Sequence, residues 1–158
     1  MKALVFCLSL LVSLSIASAQ PFVVVVRHAE KANNDKDPDL SPAGQTRAAM
    51  LAEMLKESGV EAIFTTEYKR TVETAAPTAR ALGITATVVP ANDKDQLVVK
   101  LRALTGNALV VSHGNTIPDL IKALGIEAPI NIPENDYTQL FVVTLGDRPQ
   151  LLRLRYPK

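Results

Sequence analysis

The run Val23-Val24-Val25-Val26 constrains the fold more than any other stretch of the chain. Four consecutive β-branched residues favour an extended strand, and successive side chains of a strand point to opposite faces. A strand with valine on both faces needs cover on both sides, as in a sheet layered between helices. The run then stops abruptly at Arg27-His28-Ala29-Glu30. A second apolar run, Ala108-Leu109-Val110-Val111-Ser112, stops in the same way at His113-Gly114-Asn115. His28 and His113 are the two histidines of the chain.

The segments between and around these runs alternate in character. Residues 27–40 are polar and rich in Asn, Asp and Lys, as suits an exposed connection. Ser41 then stands as an N-cap before Pro42, with Ala48, Leu51, Ala52 and Leu55 at helical spacing and Gly59 to stop the helix. Residues 61–65 read as a short strand, and 70–83 as a second helix that ends at Gly83 and is expected to kink at Pro77. Residues 85–89 read as a strand, 95–104 as a helix, 108–112 as a buried strand and 116–125 as a short helix. Two strands, 138–145 and 150–156, close the chain around a Gly146–Pro149 turn. This order predicts a three-layer α/β/α sandwich with a mostly parallel central sheet and an antiparallel C-terminal strand pair.

The first nineteen residues differ from the rest. An early Lys2, an apolar stretch to about Ala17 and the Ala17-Ser18-Ala19 pattern predict a signal peptide cut after Ala19. That apolar stretch is shorter than the roughly 20 residues a spanning helix needs, so no stable membrane insertion is expected after cleavage. The expected domain is then residues 20–158, secreted or periplasmic and of one ordinary core. Without Lys2 the basic residues number 16 against 16 acidic ones, which leaves no basic footprint for nucleic acid. The sole cysteine, Cys7, falls in the signal segment, so no disulfide is expected.

A histidine after a strand is ordinarily a hydrogen-bonded structural residue. Two histidines at equivalent strand ends, one beside Arg27, are harder to explain that way. A third element, Thr65-Thr66-Glu67-Tyr68-Lys69-Arg70, puts Arg70 at a helix start on the same side of the sheet. The helix dipole disfavours a cation there, and an anionic ligand would compensate. Two guanidinium groups and two imidazoles at one crevice describe a receptor for a phosphoryl group, because arginine forks match phosphate oxygens in pairs. Two histidines without recognisable ligand spacing do not specify a metal site, and neither metal nor cofactor is expected.

Taken in order, Arg27-His28-Ala29-Glu30, Thr66 through Ala75 and Ser112-His113-Gly114-Asn115-Thr116 resemble the histidine phosphatase superfamily, which also contains the cofactor-dependent phosphoglycerate mutases. The resemblance implies that His28 is the nucleophile that becomes a phosphohistidine, and that Arg27, Arg70 and His113 complete the phosphate pocket; charge on the transferring oxygens would then be compensated by Arg27, Arg70 and a protonated His113. It also places Asn34 where related enzymes have a phosphate-contacting asparagine, and Asn115 and Thr116 in the stretch after the second histidine. For the acid that protonates the leaving oxygen, position favours Asp93, with Asp95, Glu30, Glu134 and Asp136 as alternatives. An ordinary N-cap in a solvated loop is the competing reading of Asp93. The longest connections, 27–40 and 126–136, leave room only for a small lid, so hydrolysis of a small phosphorylated substrate is expected rather than mutase chemistry. The compact form also resembles the phosphohistidine-protein phosphatases of the family. A phosphate-binding module of the same fold without turnover is the remaining alternative.

Overall fold

The computed structural model describes residues 20–156; the expected signal segment and its cut after Ala19 lie outside them. Strand β1 spans Phe22–Arg27, helix α1 Pro42–Leu55, β2 Val60–Thr65, α2 Lys69–Leu82 and β3 Thr87–Val88. Helix α3 spans Lys94–Arg102, β4 Asn107–Ser112, α4 Ile117–Ala123, β5 Gln139–Thr144 and β6 Leu151–Arg155. The six strands form one sheet in the order β3-β2-β4-β1-β5-β6. Strands β1 to β4 run parallel, while β5 is antiparallel to both β1 and β6.

Connection handedness sorts the helices into layers. The chain moves one way across the sheet from β1 to β2 to β3, then turns back to β4 and β5. Right-handed crossovers taken in opposite directions place their helices on opposite faces. Two buried clusters result. Leu51, Leu55 and Ala75 of α1 and α2 pack on Val24, Val26, Leu109 and Val111. Leu101, Ile117 and Ile121 of α3 and α4 pack on Val23, Val25 and Val110. The valine run is therefore split alternately between two cores, and its four side chains are at most 2% exposed. Burial on this scale contributes about 1.5–3 kcal/mol per side chain. The predicted sandwich, with its antiparallel C-terminal pair, is what the chain forms.

Local signals act as expected at most element ends. The Ser41 hydroxyl accepts the Gly44 N–H at 3.1 Å, and Gly83 ends α2 at φ +67°. Helix α2 runs through Pro77 as one continuous element. The strand expected over 85–89 shrinks to Thr87–Val88, because this edge segment exposes both residues and has a neighbour on one side only. Among the described residues, no helix is long and apolar enough to cross a membrane.

Candidate active site

Three adjacent parallel strands deliver polar residues to one edge of the sheet. Strand β1 passes into His28, β4 into His113 and β2 into Thr66. His28 N–H donates to the Ser112 carbonyl at 2.9 Å, so the ladder extends one residue past the strand. The two imidazole centroids stand 5.5 Å apart. Both rings are buried, at the carboxyl ends of strands where ligands gather in such sheets.

His28 is oriented by its own main chain. Its Nδ1 donates to the Ala29 carbonyl at 2.8 Å. A carbonyl only accepts, so the proton sits on Nδ1 and the neutral ring keeps a bare Nε2. Burial lowers the His28 pKa to about 3; the bond to Ala29 works against this, and Arg27, His113 and Arg70 add to it. Burial, followed by Arg70, lowers His113 to about 4, with Glu67 opposing. At neutral pH the open crevice thus holds two neutral rings. The His113 ring is desolvated beside two guanidinium groups, so the protonated His113 expected during phosphoryl transfer calls for a bound anion. A bound anion reverses that charge balance.

Both arginines meet this crevice. Arg27 Nη1 donates to the carbonyls of Pro133, at 2.9 Å, and Glu134. Its guanidinium lies 4.4 Å over the Tyr137 ring, and its buried Nε has no hydrogen-bond partner among the described residues. An unmatched buried donor is costly, and an anion oxygen in the crevice would satisfy it. Arg70, in the first turn of α2, lies 4.3 Å over Tyr68 and 3.7 Å from the Asp37 carboxylate. Asp37 Oδ1 also accepts the Lys69 N–H at 3.0 Å. Part of the negative charge that α2 and Arg70 call for is therefore supplied by the chain itself.

The crevice encloses about 530 Å³ and brings Arg27, His28, Arg70, His113 and Asn115 together. Its rim comes from the two long connections, with Lys31, Asp35 and Lys36 on one side and Asn131, Ile132 and Glu134 on the other. Asn34 does not line it. That residue is exposed in the segment closed by the Lys31–Leu40 bridge, and its neighbours Asp35 and Lys36, exposed as well, are the ones that reach the crevice rim. Thr116 acts behind His113: its hydroxyl donates to the His113 carbonyl at 3.1 Å and bonds to Ser112 Oγ at 2.9 Å.

Asp93 lies outside the crevice and caps α3, its Oδ1 accepting the Gln96 N–H at 3.0 Å. Asp95 in the same helix is likewise not part of the lining. Glu30 is engaged by Arg47 through two nitrogens, at 2.6 and 2.9 Å. Asp136 is held by Arg155, Thr138 and Gln139. Of the acids considered, only Glu134 faces the crevice. Sequence reasoning missed three residues. Thr66 shares a 3.0 Å hydrogen bond with His113 Nε2, Tyr68 meets the same ring edge-on at 5.3 Å, and Tyr137 braces Arg27. Thr66 was open to discovery as the residue following a strand that neighbours β4. Tyr137 carried no comparable signal.

Comparison with known proteins bears on the family and the fold. The sequence model described as histidine phosphatase superfamily (branch 1) matches residues 23–92. No curated protein matches the chain in sequence. Among solved structures, SixA from Agrobacterium tumefaciens is 21% identical, with a TM-score of 0.69 over 88% of this chain and 100% of that one. The protein histidine phosphatase SixA complexed with tungstate is 21% identical, with a TM-score of 0.71 over 85% and 96%. A mycobacterial glucosyl-3-phosphoglycerate phosphatase is 16% identical, with a TM-score of 0.65 over 84% and 97%. At these identities the structures speak for the fold alone. The family match is confined to β1 to β3, while the fold of these phosphatases is shared over most of the chain: this protein is similar to the histidine phosphatase superfamily in sequence over its first half and in fold throughout.

Proposed function

We propose that the protein is a metal-independent phosphatase that hydrolyses phosphomonoesters through a phosphohistidine on His28, outside the cytoplasm. One observation carries the reading. His28 is held with its proton on Nδ1 and its bare Nε2 free of that bond, beside His113 in a crevice that two arginines also line. A neutral imidazole fixed in this tautomer is a competent nucleophile at neutral pH. Arg27 and Arg70 bind the phosphoryl oxygens, and Nε2 attacks phosphorus in line with the departing oxygen. The N–P bond forms as the P–O bond breaks, and the departing oxygen takes a proton from solvent; water then attacks phosphorus, gives its proton back to solvent, and breaks the P–N bond to release phosphate and restore His28. The transition state needs mainly positioning and charge compensation, which the guanidinium groups supply without a metal. The bound dianion draws a proton onto His113, which then shares that work. The leader-like residues 1–19 support a substrate found in the periplasm or beyond, such as a small sugar phosphate or a phosphorylated envelope glycan.

The engagement of Asp93 as a helix cap favours a second reading. A phosphohistidine on a partner protein breaks its P–N bond with less help from an acid than an alkyl phosphate needs. Phosphate release from an aryl phosphate at pH 4 to 8, with a chelator present, tests the main reading beside His28→Ala. Release by the parent that the variant loses is the expected result. No release from either aryl phosphate or a phosphohistidine peptide overturns both readings and leaves a phosphate-binding module.

A further inference from the structure

The hydrogen bond that sets the His28 tautomer depends on where the Ala29 backbone sits. Ala29 and Thr74 are both fully buried. Ala29 N–H donates to Thr74 Oγ1 at 2.9 Å, a contact across 45 residues of sequence. The same hydroxyl donates to the Arg70 carbonyl at 2.6 Å. One oxygen thus ties the nucleophile turn to the backbone of the arginine at the other side of the crevice. The next residue is held as well, since Ser41 N–H donates to the Glu30 carbonyl at 2.8 Å.

A threonine inside a helix often returns its hydroxyl to the carbonyl four residues earlier, and that bond alone would mean little. Here it also fixes which lone pair of Thr74 Oγ1 is left for Ala29. The geometry points to Thr74 as a positioning residue that sets the His28 tautomer and the aim of Nε2 relative to Arg70. Neither end of this link is adjustable by side-chain rotation, because both partners are main-chain atoms. Misplacement of reacting groups by about 1 Å costs on the order of 100-fold in rate, so a link of this kind acts on turnover more than on ligand affinity. The kinetic part of this inference rests on the phosphatase reading above; the tautomer part does not.

Thr74→Val keeps shape and removes the hydroxyl, and Thr74→Ser keeps the hydroxyl and removes the methyl. The test records the His28 ring nitrogen shifts by NMR at pH 7 in the parent and both variants. It also measures kcat on an aryl phosphate, the inhibition constant of inorganic phosphate and the melting temperature. Thr74→Val is expected to lose the single Nδ1–H tautomer and to lower kcat roughly 10- to 100-fold, with inhibition by phosphate changed less than about threefold. Thr74→Ser is expected to restore the parent tautomer and most of the rate. A Thr74→Val protein that keeps the parent tautomer and kcat while only its melting temperature falls overturns the inference. Should Thr74→Val fail to fold, Thr74→Ala, which cannot overpack, carries the same two criteria. An inactive parent with the tautomer changes intact would instead count against the phosphatase reading alone.

Discussion

His28 and Arg27 are consecutive residues with opposite requirements, one needing to stay neutral and the other permanently charged. The strand end satisfies both by burying the imidazole against its own Ala29 carbonyl and giving the guanidinium two carbonyls from the 133–134 turn. Binding of an anion must then bring protons with it. The pKa values of His28 and His113, lowered to about 3 and 4 in the open crevice, rise when negative charge arrives. Calorimetric titration with tungstate near pH 6 is therefore predicted to show net proton uptake, seen as heats that differ between buffers of different ionisation enthalpy. Heats independent of buffer would count against the neutral pair. Arg70→Ala is predicted to weaken tungstate binding roughly 10- to 100-fold, and Arg70→Lys to recover only part of it, because an ammonium lacks the planar fork. The four central residues were legible because each ends or follows a strand or opens a helix, a local feature of sequence. Tyr137 and Asp37 were not, since their roles arise from tertiary neighbours far along the chain. Asn34 misled because position along the 31–40 segment does not tell which of its residues reaches the crevice rim.

At the scale of elements, the first turn of α1 is pressed against the nucleophile turn. A Cβ at Gly44 would lie 2.3 Å from the Glu30 carbonyl oxygen and 3.0 Å from its nitrogen, both backbone atoms that cannot swing aside. Gly44→Ala is predicted to destabilise the protein by about 1–3 kcal/mol and to lower kcat as well, because relief must come from moving the turn after His28. Ser41→Ala removes the cap bond in the same turn, costs about 1 kcal/mol and is predicted to leave kcat within twofold. Urea denaturation and steady-state kinetics on the two variants separate these effects; equal kinetic behaviour would contradict the contact argument. Strands β1 and β4 were legible in full because both their faces are buried. Strand β3 was not, because an exposed edge segment carries β-branched residues without being held to a long ladder. Asp93 shows the limit of motif position: an acid ahead of a helix serves equally as a cap, and here the backbone claims it.

Across the whole molecule, two buried neutral histidines make stability depend on pH. The unfolded chain takes up protons near pH 6.5, whereas the folded one does so only near pH 3 and 4. Below pH 6.5 the unfolded state therefore binds more protons, so stability falls as pH drops and is insensitive to these groups above that value. The carboxylates begin to contribute only lower down, so pH 5 to 6.5 isolates the histidines. One unit below 6.5, each histidine costs roughly 1.4 kcal/mol. Urea midpoints at pH 7 and 5.5 are predicted to differ by about twice that in free energy for the parent, and by much less for a His28→Gln, His113→Gln double variant. A parent as stable at pH 5.5 as at pH 7 would contradict the burial of neutral rings. A phosphohistidine on His28 can be caught by rapid acid-free quenching during turnover of an aryl phosphate, followed by peptide mass analysis. One phosphoryl group, labile to acid and stable to base, is expected on the peptide that contains His28, and none in His28→Ala. Turnover that persists without any phosphorylated His28 peptide, or that survives in His28→Ala, would contradict a nucleophilic His28.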